Sequence, residues 1–112
     1  MTRVFGMHEI ELHPGVSEEE FENFVLTEMS AGPNYPGWSM RLLKGDRGAR
    51  EGKYLLLFDI ESVEARDRLA ESSEENEQFN KEWEPLFQKW STFSPTDLGE
   101  HPNYTDYLVL EK

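Results

Sequence analysis

Tyr54-Leu55-Leu56-Leu57-Phe58-Asp59-Ile60 is the stretch on which the fold turns. Successive side chains of a strand point to opposite faces, so Tyr54, Leu56, Phe58 and Ile60 share one face while Leu55 and Leu57 occupy the other. Both faces are apolar. A sheet with helices on one side only needs one greasy face, so this strand predicts cover from two directions: the chain's own helices in front and a second copy of the chain behind.

The neighbouring segments fall into place around it. Trp38 to Leu43 reads as a preceding strand, joined through the glycine-punctuated connection Lys44 to Gly52, so residues 38–60 predict an antiparallel hairpin. Further upstream, residues 4–12 alternate, with Val4, His8, Ile10 and Leu12 on one side and Phe5, Met7, Glu9 and Glu11 on the other, which predicts a half-buried strand ended by His13-Pro14-Gly15. Between these two strands, Ser17 opens Ser-x-x-Glu, in which the Ser17 hydroxyl and the Glu20 carboxylate can satisfy free N–H groups at a helix start. Phe21, Phe24, Val25 and Met29 then follow at helical spacing, and the turn formers from Gly32 to Gly37 end the helix in a loop.

Downstream, Ser62 caps a helix carrying Val63, Ala65, Arg66 and Leu69, which weakens at the polar run Glu71 to Asn76. A second helical run carries Phe79, Trp83, Leu86, Phe87 and Trp90. Pro85 lies inside it and predicts a kink or restart near Trp83 and Glu84, because proline removes a donor and clashes with the preceding turn. Ser94 to Pro102 reads as a loop and Tyr104 to Leu110 as a final strand. The order strand, helix, strand, strand, helix, strand predicts one α+β domain over residues 1–112, with a ferredoxin-like βαββαβ antiparallel sheet and helices on one face.

Composition limits the partners. Asp and Glu number 23 against 11 Lys and Arg, and the resulting net charge of -12 opposes the phosphate neutralisation on which nucleic-acid binding depends. No apolar run approaches the ~20 residues of a membrane span, and no apolar signal core stands at Met1 to Gly6, so a cytoplasmic protein is expected, with neither nucleic acid nor membrane as partner. There are no cysteines, which excludes disulfides, thiolate metal sites and a cysteine nucleophile.

Three stretches carry a further likeness. His13-Pro14-Gly15-Val16-Ser17-Glu18-Glu19-Glu20-Phe21, the Pro36-Gly37 lead-in to the second strand, and Phe58-Asp59-Ile60-Glu61-Ser62-Val63-Glu64-Ala65 together resemble the stress-responsive dimeric α/β-barrel domains. More broadly, the chain is similar to the dimeric α/β-barrel superfamily that includes antibiotic-biosynthesis monooxygenase-like proteins. The resemblance implies a homodimer packed sheet to sheet, with Met7, Leu55 and Leu57 at the contact. It also implies a cavity in each subunit between the sheet and its helices. Some relatives place a histidine in the first strand and a His-Pro-x-His element near the second helix; here Gly6 stands at the usual first-strand position, His8 is displaced from it, and Glu71-Ser72-Ser73-Glu74 replaces the second element.

Candidate site residues follow from the residues and the likeness together. His8 falls on a buried face, where a neutral imidazole can act as a base, although a lone buried histidine is more often a packed core residue. Ile10, Phe24, Tyr54, Leu56, Phe58, Trp83, Phe87 and Trp90 are the expected lining of a pocket for an apolar aromatic metabolite, and core packing explains the same spacing. Lys44, Arg47, Arg50 and Lys53 form a basic island at a hairpin tip, more often simply solvated. His8, His13 and His101 lack metal-ligand spacing, so no metal and no cofactor is expected, with haem as a minor alternative from the likeness. Two functions stand side by side: a cofactor-independent monooxygenase-like enzyme, and a non-catalytic ligand-binding or stress-response dimer. Fold alone does not choose between them.

Overall fold

Strand alternation and helix capping act where expected in the computed structural model, which describes residues 2–98 and 103–110. The strands are β1 (Val4–Ile10), β2 (Trp38–Lys44), β3 (Tyr54–Ile60) and β4 (Tyr104–Leu108). They form one sheet in the order β2-β3-β1-β4, antiparallel at every junction. This is an α+β arrangement compatible with a ferredoxin-like fold. His101 and its flanking residues in the predicted 94–102 loop lie outside the described residues.

Register aligns the two faces of the sheet. Trp38, Ile60, Val4 and Leu108 form one row, and Met40, Phe58, Gly6 and Asp106 the next. Leu42, Leu56, His8 and Tyr104 form a third, all on the side that meets the helices. On that side Ile10, Tyr54 and Leu56 pack with Phe21, Phe24, Val25, Met29, Trp83, Trp90 and Phe93 into the main core. Phe5, Met7, Leu55 and Leu57 point the other way and are only half-buried.

Three serines start the helices: α1 (Glu18–Asn23), α2 (Val63–Leu69) and α3 (Glu74–Phe93). The hydroxyls of Ser17, Ser62 and Ser73 accept from the N–H groups of Glu20, Ala65 and Asn76, each cap contributing about 1 kcal/mol. The helix begun by α1 widens into a π-helical segment, Phe24–Met29, at whose end the Ser30 N–H and hydroxyl both donate to Val25 O at 3.2 and 3.0 Å. Spacing alone predicts an ordinary α-helix there.

The polar run from Glu71 to Asn76 is a tied junction between α2 and α3. Buried Asn76 donates its amide to Arg68 O and Glu71 O at 2.7 and 2.6 Å, and its Oδ1 accepts from Tyr35. Carbonyls at the end of α2 are thereby satisfied. The predicted restart at Pro85 does not occur, because α3 runs unbroken from Glu74 to Phe93. Pro85 is exposed, so water can take the carbonyl it leaves unpaired, while Trp83 and Trp90 anchor the helix on either side. The last strand stops at Leu108 rather than Leu110, and Leu110 is 89% exposed.

Leu56 is fully buried at the centre of β3. Leu56→Ala is expected to destabilise the protein by about 3 kcal/mol, measured as a fall in the urea midpoint. Leu57→Ala, on the opposite face, should cost clearly less in the separated protomer.

Candidate functional site

A cleft of about 470 Å³ remains between the sheet and α3, within the roughly 300–1,000 Å³ of small-molecule pockets. Trp38, Met40, Phe58 and Tyr104 supply its floor from three strands, and Phe79, Trp83 and Phe87 its wall from α3. Met29 and Ser30, carried by the π-helical segment and the residue after it, and Tyr35, from the loop before β2, close the rest. Four-residue steps overshoot a 3.6-residue helical turn, so the row Phe79, Trp83, Phe87 drifts slowly around α3, and Trp90 is turned into the core.

Seven of the lining side chains are aromatic, and they touch in succession around the cleft. Tyr104 meets Phe58 (centroids 6.2 Å), Phe58 meets Trp38 (5.8 Å), and Trp38 meets Tyr35 (6.4 Å). Tyr35 then meets Phe79 (5.2 Å), Phe79 meets Trp83 (6.0 Å), and Trp83 meets Phe87 (5.8 Å). The polar tips of these rings are all engaged within the protein. Tyr35 donates to Asn76 Oδ1 at 2.7 Å, Trp38 Nε1 to Ala65 O at 3.1 Å, Trp83 Nε1 to Pro33 O at 2.8 Å and Tyr104 to Asp106 Oδ1 at 2.6 Å. Among the described residues, none that lines the cleft is charged.

Phe58, Trp83 and Phe87, expected from the sequence as pocket residues, line this cleft. Ile10, Phe24, Tyr54, Leu56 and Trp90 lie beside it in the packed core. The Tyr54 hydroxyl donates to Glu22; burial first, then this carboxylate, pushes the phenol up to about 12. His8 is fully buried, edge-on to Trp90 at 6.0 Å and 6.3 Å from the Tyr104 ring, so Tyr104 and not His8 faces the cleft. The basic island does not reach it. Lys44 bridges Glu18 and Glu22, Arg50 approaches Glu9, and Arg47 is exposed beside Asp46.

The sequence does not single out Tyr35, Trp38, Phe79 or Tyr104 as site residues, although one glycine marks a close approach at β1 without naming the side chain that makes it. Gly6 interrupts an apolar strand, and an interior strand glycine marks a close approach. A Cβ there would lie 2.0 Å from the Tyr104 hydroxyl oxygen. Burial first, then the Asp106 carboxylate, holds the Tyr104 phenol well above its ordinary value, so it stays protonated. His13 Nε2 lies 3.0 Å from Ser91 O. Among the described residues no three His, Cys, Asp or Glu side chains gather to hold a metal, and no helix is long and apolar enough to cross a membrane.

No family model matches the chain, and no curated protein or solved structure matches it. Its function is therefore read from the cleft and the sheet.

Burial lowers the pKa of His8 below its ordinary 6.5. Below pH 6.5 the unfolded chain binds a proton at this residue that the folded chain refuses, so this contribution is intact above 6.5 and declines as pH falls toward the depressed folded value. Urea midpoints between pH 7.5 and 5.5 should fall more steeply for the wild type than for His8→Gln, which lacks the titrating ring.

Proposed function

We propose that this protein is a homodimeric ligand-binding protein of the dimeric α/β-barrel type, and that its cleft takes a flat, apolar aromatic small molecule. The succession of seven aromatic rings around a cleft that has no charged lining among the described residues carries the reading. With their polar tips engaged elsewhere, the rings offer a guest carbon and π surface, which favours stacked and edge-on aromatic contacts. Burying roughly 250 Å² of a two-ring guest at about 25 cal/mol per Å² gives about 6 kcal/mol before the costs of association, an upper bound that corresponds to tens of micromolar.

We favour binding without turnover, because among the described residues the lining holds neither a carboxylate nor an imidazole to act as acid or base. Monooxygenase-like chemistry with His8 as base would require the guest to reach a ring that lies behind Tyr104. The neutral fluorescent probe N-phenyl-1-naphthylamine should bind saturably with enhanced emission. Phe87→Ala, at a side chain already 40% exposed, should weaken it about tenfold without changing the melting temperature. Absence of saturable binding by the wild type would dismiss the cleft as a ligand site.

Dimerisation is supported by the helix-free side of the sheet. Phe5, Met7, Leu55 and Leu57 form a half-buried apolar centre, and Leu43 and Tyr107 beside them are 43% and 52% exposed. Contiguous apolar surface of this kind is commonly an interaction site. Arg3, Asp59, Arg41 and Glu9 bring both signs of charge to its margins, which is compatible with a self-complementary two-fold contact. Sedimentation at micromolar concentration should give twice the 13.1 kDa chain mass, and Leu57→Glu should return the single chain. A wild-type monomer under those conditions would remove the dimer.

A further inference from the structure

Tyr104 is built into the cleft floor in an unusual way. Its hydroxyl occupies the space a side chain at position 6 would fill, in the row Asp106, Gly6, Phe58, Met40, of which Phe58 and Met40 line the cleft. Glycine in a strand interior weakens the strand, so room for this one oxygen is obtained at a cost to β1. A phenol has one donor and two acceptor positions. The donor is committed to Asp106 Oδ1 at 2.6 Å, while Asp106 Oδ2 lies 3.7 Å from Arg66 Nη1.

What remains at Tyr104 Oη is acceptor capacity. Other donors on the wall are likewise engaged: the indole N–H groups of Trp38 and Trp83, the Tyr35 hydroxyl, and the Ser30 hydroxyl, which donates to Val25 O. Ser39 and Asn34 are exposed to water. Among the described residues no lining side chain carries positive charge, and the whole chain carries -12, so an anionic guest is disfavoured.

We infer that the guest is a neutral aromatic compound bearing a hydrogen-bond donor, a phenolic O–H or ring N–H, which it gives to Tyr104 Oη at the cleft floor. This rests on the ligand-binding reading above and adds the chemical class of the ligand. Tyr104 thereby becomes the specificity-determining residue, with Gly6 and Asp106 positioning its oxygen. The phenol keeps its proton through the neutral range and donates it to Asp106, so the oxygen has only lone pairs left to offer a guest.

The test compares 1-naphthol with 1-methoxynaphthalene at neutral pH, following quenching of tryptophan fluorescence. The two share a ring system, and the ether is the more apolar but has no donor. Wild-type protein should bind 1-naphthol about tenfold more tightly, the effect of one buried hydrogen bond. In Tyr104→Phe the ratio of the two affinities should fall to about one, a loss of preference that a merely structural role of Tyr104, which would weaken both compounds alike, would not produce. Gly6→Ala, which displaces the hydroxyl, should reduce the same preference. Equal wild-type binding of both compounds would overturn the inference and leave the ligand-binding reading standing, and that comparison needs no variant to fold. A preference that survives in Tyr104→Phe would also overturn it. Binding of neither compound would remove the cleft reading and the inference together.

Discussion

A strand with apolar side chains on both faces is costly to leave against water, and the helix-facing side of this molecule is organised by that constraint. β3 pairs along its full length with β1 on one side and β2 on the other, so its backbone is satisfied by the sheet. Its helix-facing row of Tyr54 and Leu56 is sealed by α1, the π-helical segment and α3. Toward its end, at Phe58, the seal is looser, and the cleft opens there. The cleft thus lies beside the main core, and past Phe58 the strand is covered again where Ile60 packs with Val4 and Ala65.

The cleft keeps its shape because its rings are held from behind. Tyr35 is tied through Asn76 to the end of α2, Trp38 to the middle of α2, and Trp83 to the loop before β2. Each hydrogen bond removes a buried polar atom from the list of groups that would otherwise demand water. Three elements that share little direct packing are thus fixed relative to one another by the edges of aromatic side chains. An aromatic lining held this way is already organised before a guest arrives, which lowers the ordering cost of binding.

The strands, the caps at Ser17 and Ser62, and the face assignments of β1 and β3 were legible in the sequence because they rest on local rules: period two, helical spacing and hydroxyl capping. The cleft was legible only in part. Helical spacing named Trp83 and Phe87, and alternation named Phe58, but neither rule says where helix and sheet part company. Trp90 and Phe24 obey the same spacing and lie in solid core. Tyr104 was out of reach of pattern alone, since its role depends on a pairing between β1 and β4 that brings Asp106 opposite Gly6. The π-helical segment was hidden for another reason. Phe21, Phe24, Val25 and Met29 are all buried although the backbone widens by one residue, so the apolar pattern looks the same for either helix.

The position of β1 in the sheet also bears on how the chain reaches this state. It lies in the interior of the sheet, yet Met7 meets Leu57 on one side and Thr105 on the other. Both partnerships span much of the chain, and topologies dominated by distant pairings fold slowly because loop closure must precede the contacts that reward it. During folding β1 therefore waits for partners that lie far along the chain, holding Phe5 and Met7 exposed in the meantime. Nascent chains of this protein should spend that interval vulnerable to aggregation, and chaperone engagement would be concentrated there.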